Sequence, residues 1–360
     1  MFSSYKPEDV TILLKDITGL VPPLAARERE ALMRQGVHYS EMLPLEYEPS
    51  PLYLRAYFEA QERYAGMTAD AVASVAEQIW AEKGPDAVLV SLARAGTPIG
   101  ILIKRYLRRN YHAEAAHYTI SIIKGRGIDR NAMAYILARH KPESIQFVDG
   151  WTGKGAIQRE VNQAMADYPG VAPGLAVLSD PARIAAKQGT YDDFLIPSSC
   201  LNATVSGLLS RTFLREDLTG PTDFHGAACY KALRDKDLTY TFIQSVEERF
   251  PASAPPSPAR EPERQGAGME EVQEISRAFN IKDIGLIKPS IGEATRVLLR
   301  RVPWKILVHN LDDVQHLGHL YQLAREKDVE VAEYPLKNYR ACGLIQPLDE
   351  VRHEENSPGL

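Results

Sequence analysis

From residue 86 onward, short apolar runs alternate with segments of helical pattern, and this alternation restricts the possible folds more than any other feature. The run AVLVSL leads through a small-residue turn into GILIKRYLRR, and AAHYTISII leads through KGRGID into RNAMAYILARH. A third run, SIQFV, follows. Buried strands that alternate with helices are typical of a parallel sheet covered by helices on both faces. We therefore predict an α/β fold with a parallel, doubly wound sheet.

A proline-rich segment divides the chain. Residues 1–250 contain the alternating runs, preceded by a helical cap that includes the helix-patterned segment 68–83. Residues 251–271, PASAPPSPAREPERQGAGMEE, are polar and proline-rich, so we predict an interdomain linker there. The pattern then predicts a small second α/β domain over residues 272–346 and a tail over residues 347–360.

The composition excludes several classes of protein. A net charge of −5 gives no overall attraction to nucleic acid or to an anionic membrane, so any basic surface must be local. No apolar run approaches the roughly 20 residues that cross a bilayer, and the first residues, MFSSYKPEDV, lack a secretory apolar core. We therefore predict a cytoplasmic protein with no membrane partner. Three widely spaced cysteines predict reduced thiols rather than a disulfide framework or a zinc ribbon.

The stretch IQFVDGWTGKGAI, residues 145–157, is suited to binding an anion. Its apolar strand ends at Asp149, where a carboxylate could hold sugar hydroxyls or a metal. The glycines that follow allow a sharp turn, which points backbone N–H groups and the N-terminus of the next helix at an anion. The predicted phosphate-binding residues of this loop are Gly150, Thr152, Gly153, Lys154 and Gly155.

Two further loops follow predicted strands. SLARAGTPIG offers the guanidinium of Arg94, and KGRGID offers Lys124 and Arg126 between glycines. The carboxyl ends of parallel strands lie at one edge of a sheet, so these loops are predicted to converge on the same anion. Taken singly, each loop is also explained as a packing turn or a solvated turn. The predicted phosphate-binding residues of the first loop are Ala95, Gly96 and Thr97.

Together the three loops resemble the type I phosphoribosyltransferases, whose signature corresponds here to residues 148–155. The resemblance implies a phosphorylated sugar or nucleotide as partner, with phosphoribosyl pyrophosphate as substrate and Mg²⁺ as its cofactor, but no metal site built by the protein alone. Asp149 would hold the ribose hydroxyls, and Arg94, Lys124 and Arg126 would hold the departing pyrophosphate. The first functional hypothesis is therefore transfer of ribose phosphate to an unidentified acceptor.

A wider resemblance extends over residues 5–345. The motifs SLARAGTPIG, YTISIIKGRGID, FVDGWTGKGAI and LIPSSCLNATVSGLLSRTFLR, in this order, resemble a bacterial phosphoribosyltransferase-like family of tellurite-resistance and stress gene clusters. Its members are also labelled cysteine protease StiP. They commonly carry a C-terminal PELOTA-type RNA-binding domain, to which IKPSIGEATRVLLRRVPWKILVHN is similar.

A thiol peptidase is the alternative hypothesis. Cys200 follows a Pro-Ser-Ser turn and is predicted to begin a helix, whose dipole would favour a thiolate. His225 is the predicted base, oriented by Asp223 or Asp192. A buried thiol that only packs under the sheet is the other interpretation of Cys200.

The second domain has a basic first half. Helical spacing places Arg296 and Arg300 on one face, and the PELOTA resemblance implies that this face binds structured RNA. A solvated charged face is the other interpretation. A third hypothesis for the whole chain is a non-catalytic, nucleotide-sensing regulator that binds RNA. The predicted RNA-binding residues are Lys288, Gly292, Glu293, Arg296, Arg300 and Lys305.

Overall fold

The computed structural model describes residues 2–345, without the side chains of Ala26 and Arg300, so the predicted tail at 347–360 lies outside the described residues. The strands of the first domain are β1 (Thr11–Ile12), β2 (Lys15–Asp16), β3 (Pro23–Leu24), β4 (Leu43–Pro44), β5 (Val88–Leu92), β6 (Ala116–Ile120), β7 (Ile122–Ile123), β8 (Gly127–Ile128), β9 (Ile145–Val148), β10 (Leu175–Ser179), β11 (Lys187–Thr190) and β12 (Gly226–Ala227). Its helices are α1 (Ala26–Arg34), α2 (Pro51–Lys83), α3 (Gly96–Tyr111), α4 (Arg130–Leu137), α5 (Ala156–Met165) and α6 (Thr239–Glu247).

The core of the first domain is a six-stranded sheet in the order β1-β6-β5-β9-β10-β11. Every neighbouring pair in it is parallel. One face packs on α2, α3 and α6 and the other on α4 and α5, which gives two apolar clusters. The prediction of an α/β fold with a parallel sheet is confirmed. The carboxyl ends of β5 and β9 are neighbours in this sheet, so the loops after them lie side by side.

Helix α2 is longer than its predicted part at residues 68–83, because its start signals lie far upstream. The Ser50 side chain accepts a hydrogen bond from the Tyr53 amide, and Pro51 occupies the first turn. A face rich in alanine then buries the helix against the sheet. Although α2 has 33 residues, neither it nor any other helix within residues 2–345 is long and apolar enough to cross a membrane.

Within its described residues, up to Ile345, the second domain is a four-stranded sheet with three helices. Its elements are α7 (Ala267–Ala278), β13 (Ile287–Pro289), α8 (Ile291–Arg300), β14 (Pro303–Val308), α9 (Val314–Glu326), β15 (Glu330–Glu333) and β16 (Ala341–Ile345). The strand order is β13-β16-β14-β15, with β14 and β15 parallel and β16 antiparallel to both of its neighbours. Helix α7 begins at Ala267, inside the segment 251–271 that the sequence assigns to the linker.

The segment around Cys200 differs from its prediction. Instead of a helix, the chain forms two short 3₁₀ turns, Pro197–Cys200 and Ala203–Val205. No helix continues from Cys200 because the next residue, Leu201, has an extended backbone, with φ of −119° and ψ of 175°. Cys200 therefore ends a single turn, and the predicted activation of its thiol by a helix dipole is wrong.

Close packing of α3 on the sheet depends on Gly100. A Cβ atom built on this residue would lie 2.2 Å from Ser91 Oγ and 2.3 Å from His117 Nε2. We expect Gly100→Ala to lower the free energy of unfolding by about 1–3 kcal/mol through overpacking. Gly66→Ala is the matched control, because its Cβ would meet nothing within 4 Å in α2, and it should stabilise by about 0.5–1 kcal/mol. Urea unfolding measures both; equal stabilities would contradict the packing role.

Candidate functional site

The loops after β5 and β9 meet the second domain at a cavity of about 330 Å³, here called the interdomain cavity. Ala95 and Asp149 line it from the sheet, together with the loop 151–155. The second domain contributes Lys288, Glu293 and Arg296 to the opposite wall. Two groups of residues that the sequence assigns to different functions, phosphate binding and RNA binding, thus face each other.

Burial changes the pKa values of two groups in this cavity. It raises the pKa of Asp149 to about 6, although the carboxylate accepts a hydrogen bond of 2.8 Å from the Gly150 amide. Burial, followed by the nearby charges of Lys288 and Lys124, lowers the pKa of Lys154 to about 8. The Lys154 ammonium donates to the carbonyl of Ile287 at 2.7 Å and to that of Ile284. The lysine of the glycine-rich loop therefore binds the second domain.

Other groups of the same loop also bind within the protein. The Thr152 hydroxyl donates to Asp180 at 2.6 Å, and the Tyr339 hydroxyl donates to the carbonyl of Gly153 at 2.6 Å. The Arg296 guanidinium lies 4.5 Å from the centre of the Trp151 ring. These contacts fix the loop against the second domain.

Several of the predicted phosphate-binding residues have a packing role. A Cβ on Gly96 would meet the Val148 carbonyl at 2.3 Å, and the buried Thr97 hydroxyl shares a hydrogen bond of 2.7 Å with Thr119. Both residues therefore pack α3 on the sheet. Gly155, with φ of 77°, precedes α5 beside the interdomain cavity.

The basic loop between β7 and β8 turns toward the cap. The Lys124 amide donates to the Tyr39 hydroxyl at 2.8 Å. Arg126 forms an ion pair with Glu41 and donates to the carbonyl of Leu214 at 3.1 Å. These contacts direct the Arg126 guanidinium to the cap and not to the interdomain cavity.

A second cavity, of about 390 Å³, lies between the cap, the loops and the end of α8. We call it the arginine cavity, because four arginines line it together with Cys200. Glu46 and Tyr47 of the cap also line it. The arginines are Arg29, Arg94, Arg211 and Arg301.

Hydrogen bonds hold Arg94 in place at this cavity. Its guanidinium donates to the Leu209 carbonyl at 2.9 Å and to the Asn202 side chain at 2.7 Å. The carboxylate of Glu46 lies 3.8 Å away. The sequence predicts Arg94 as a cation for pyrophosphate, whereas the structure places it near Cys200 rather than in the wall of the interdomain cavity.

The three cysteines have different surroundings. Cys200 is 1% exposed and forms part of the wall of the arginine cavity. Burial raises the pKa of the Cys229 thiol, and it raises that of Cys342 much further. A raised pKa suppresses the thiolate, so Cys229 and Cys342 are poor nucleophiles.

The predicted base, His225, belongs to another cluster. Its Nδ1 shares a hydrogen bond of 2.8 Å with Ser121 Oγ, and its amide donates to Asp129 at 2.6 Å. Burial lowers the pKa of His225. Asp223, a predicted orienting group, instead pairs with Lys15 at 2.6 Å. Within the described chain, no histidine lines the arginine cavity.

The predicted RNA-binding residues mostly face inward. Lys288, Glu293 and Arg296 line the interdomain cavity, and a Cβ on Gly292 would lie 3.4 Å from Ser199 Oγ. Lys305 pairs with Glu330 at 2.8 Å. The side chain of Arg300 lies outside the described residues.

Comparison with known proteins identifies the family. Residues 3–247 match a family described as tellurite-like stress resistance cysteine protease StiP. Cysteine protease StiP of Acinetobacter baylyi is 36% identical over 370 residues, covering 96% of this chain and 94% of that protein. The chain belongs to the StiP family. Residues 266–347 also match the PELOTA RNA binding domain. The resemblance to these two families, predicted from the motifs, is confirmed.

Solved structures are less similar. Two structures of a hypoxanthine-guanine phosphoribosyltransferase from Bacillus anthracis show 14% and 13% identity, with TM-scores of 0.26 and 0.24. The matched regions cover 35% and 42% of this chain and 77% and 85% of the two phosphoribosyltransferase chains. Such scores support no functional argument. Because the StiP family and the curated relative are both described as cysteine proteases, the prediction of a phosphoribosyltransferase is wrong.

Sequence reasoning gave no site role to Arg29 or Arg211, and it placed Arg301 only in the basic half of the second domain. No local pattern joins these arginines, because they lie on segments far apart in the sequence. Asp193 was also missed. Its signal was weak: an Asp-Asp pair after the predicted strands, of which the second member is buried.

Proposed function

We propose that this StiP-family chain is a thiol peptidase and that Cys200 is its nucleophile. The observation that carries the proposal is the position of Cys200 in the wall of a cavity with four guanidinium groups. Positive charge near a thiol favours the thiolate, which is the reactive form. The names of the family and of the A. baylyi relative support the same chemistry.

In the proposed reaction, the Cys200 sulfur attacks the peptide carbonyl carbon and a C–S bond forms. The C–N bond then breaks, the amine leaves with a proton, and water hydrolyses the resulting thioester. Arg94 is held by two hydrogen bonds, so its guanidinium is preorganised to stabilise the oxyanion. We assign transfer of the thiol proton to the leaving amine to the carboxylate of Glu46, which lines the same cavity.

An electrophilic peptide probe tests the nucleophile. We expect a peptidyl chloromethyl ketone to attach to Cys200 in the full-length protein, as located by mass spectrometry, because Cys200 lines the arginine cavity and Cys229 and Cys342 do not. Labelling should disappear in Cys200→Ser and persist in Cys229→Ala. Equal labelling of the Cys200→Ser and unsubstituted proteins would contradict the assignment.

RNA binding by the second domain is the second proposed function, supported by the match to the PELOTA RNA binding domain. We expect Lys305→Gln, at a predicted RNA-binding residue that does not line the interdomain cavity, to weaken binding of a hairpin RNA and to reduce the slope of log affinity against log salt by about one. Filter binding at several salt concentrations measures both. Arg277→Gln, on the exposed side of α7, is the matched control. Failure of the full chain to bind RNA at low salt would refute the proposal.

A further inference from the structure

We infer that the arginine cavity binds a peptide carboxylate, which makes acidic peptides the substrate class of this protein. The inference rests on the proposed peptidase function, because it takes Cys200 as the reacting group. It adds a binding group and a substrate preference to that function.

Four positive charges converge on this cavity from separate parts of the fold. Arg29 lies on α1, Arg94 follows β5, Arg211 lies in the long segment before β12, and Arg301 follows α8. Burial, with the charges of the other three arginines, lowers the pKa of Arg211 to about 10. Like charges held this close repel one another, so the arrangement is unfavourable unless an anion joins it.

The protein itself compensates these charges only in part. Glu46 lies 3.8 Å from Arg94, and Glu48, the other carboxylate of the lining, pairs with Lys236 at 2.9 Å. The Nε groups of Arg29 and Arg211 are buried without a hydrogen-bond partner among the described residues. A planar carboxylate accepts paired hydrogen bonds from guanidinium groups, so it matches the donors that remain.

The remaining lining favours a peptide over a nucleic acid. Apolar side chains of Leu45, Leu201 and Leu299 and the ring of Tyr53 surround the charged groups. Apolar walls with a few placed polar groups suit the carbon stem and the charged end of a glutamate or of a chain terminus. Cys200 lines the same wall, so a peptide held by its carboxylate would place an adjoining peptide bond beside this residue.

Binding is tested apart from turnover with the full-length Cys200→Ala protein. The probes are fluorescein-labelled, amidated heptapeptides with a central Glu or a central Gln, and a Gln peptide with a free C-terminal carboxylate. Fluorescence anisotropy should show at least about tenfold tighter binding of a carboxylate peptide than of the amidated Gln peptide. The two carboxylate peptides distinguish a side-chain carboxylate from a chain terminus.

Substitutions locate the effect. Arg211→Gln in the same background should remove the carboxylate preference, whereas Arg109→Gln, exposed on α3, should retain it. Equal binding of all three peptides overturns the inference. So does hairpin RNA binding that Arg211→Gln abolishes without any carboxylate preference, because the cavity would then serve nucleic acid.

Hydrolysis assays of the unsubstituted protein distinguish the carboxylate preference from the proposed peptidase activity. Hydrolysis of the Glu and Gln peptides at equal rates would overturn the carboxylate preference and leave the peptidase standing. Carboxylate-selective binding with no hydrolysis would overturn the peptidase and leave the binding site standing. Selective hydrolysis of a carboxylate peptide supports both.

Discussion

Peptide hydrolysis by the Cys200→Ala protein falls by at least about 10³-fold in kcat/KM, because loss of a covalent nucleophile removes the acyl-enzyme route. The substitution removes a single buried sulfur atom, which should cost about 1–2 kcal/mol, so most of the protein should stay folded. Continuous assay of a quenched fluorescent acidic peptide measures the rate. Circular dichroism of the same samples checks the fold.

A matched substitution separates chemistry from packing. Cys229→Ala also truncates a buried cysteine, but burial raises the pKa of the Cys229 thiol, which makes it a poor nucleophile. The Cys229→Ala protein should therefore hydrolyse the peptide at nearly the same rate as the unsubstituted protein. A similar loss in both variants would mean that the assay reports packing. His225→Gln should lower activity far less than Cys200→Ala, because His225 is bound to Ser121 and Asp129. A loss as large as that of Cys200→Ala would restore His225 as the base.

The fold was predictable wherever local pattern and burial agree. The strands at residues 88–92, 116–120 and 145–148 are fully or largely buried, so their apolar runs alone identify a parallel sheet. The segment after Ile196 is different, because its apolar residues fit a helix as well as they fit irregular turns. The extended backbone of Leu201, which no residue propensity predicts, ends the turn at Cys200.

The site was predictable only in part, for a related reason. Glycine-rich loops after parallel strands correctly brought Ala95 and Asp149 to one cavity. Their chemistry was misjudged, because the Gly153 carbonyl and the Lys154 ammonium are used by the second domain. The arginine cavity forms from residues far apart in the sequence, and only the folded chain brings them together.

Docking of the two domains depends on one buried carboxylate, Asp193, at the end of the sheet. Its two oxygens accept hydrogen bonds from the Ile291 amide at 3.0 Å, and one of them also accepts from the Arg340 amide at 2.9 Å. Ile291 is the first residue of α8, so the carboxylate lies at a helix N-terminus. Removing it leaves both amides buried without this partner.

Below the raised pKa of Asp193, we expect Asp193→Ala to lower the free energy of unfolding by roughly 2–6 kcal/mol, at about 1–3 kcal/mol for each of the two unsatisfied amides. Urea unfolding measures the loss. Trypsin cleavage in the segment 251–266 should also accelerate, because docking restrains this exposed connection. Asp192→Ala is the matched control, since this neighbouring side chain is exposed. Equal unfolding midpoints for the two variants would contradict the role of Asp193.

The same carboxylate makes docking depend on pH. Burial outweighs the amide hydrogen bonds and raises the pKa of Asp193 from 3.8 to about 7, so the folded state favours the neutral acid. The contribution of the protonated Asp193 carboxyl to the free energy of unfolding is complete below pH 4. It is lost as the pH rises through 7, which lowers the free energy of unfolding by roughly 4 kcal/mol. Asp149, with a pKa of about 6, acts in the same direction. Asparagine cannot ionise, so Asp193→Asn should flatten the decline in stability between pH 4 and 7. Asp192→Asn is the control and should retain the decline. An unchanged slope in Asp193→Asn would show that the Asp193 carboxyl does not titrate in this range.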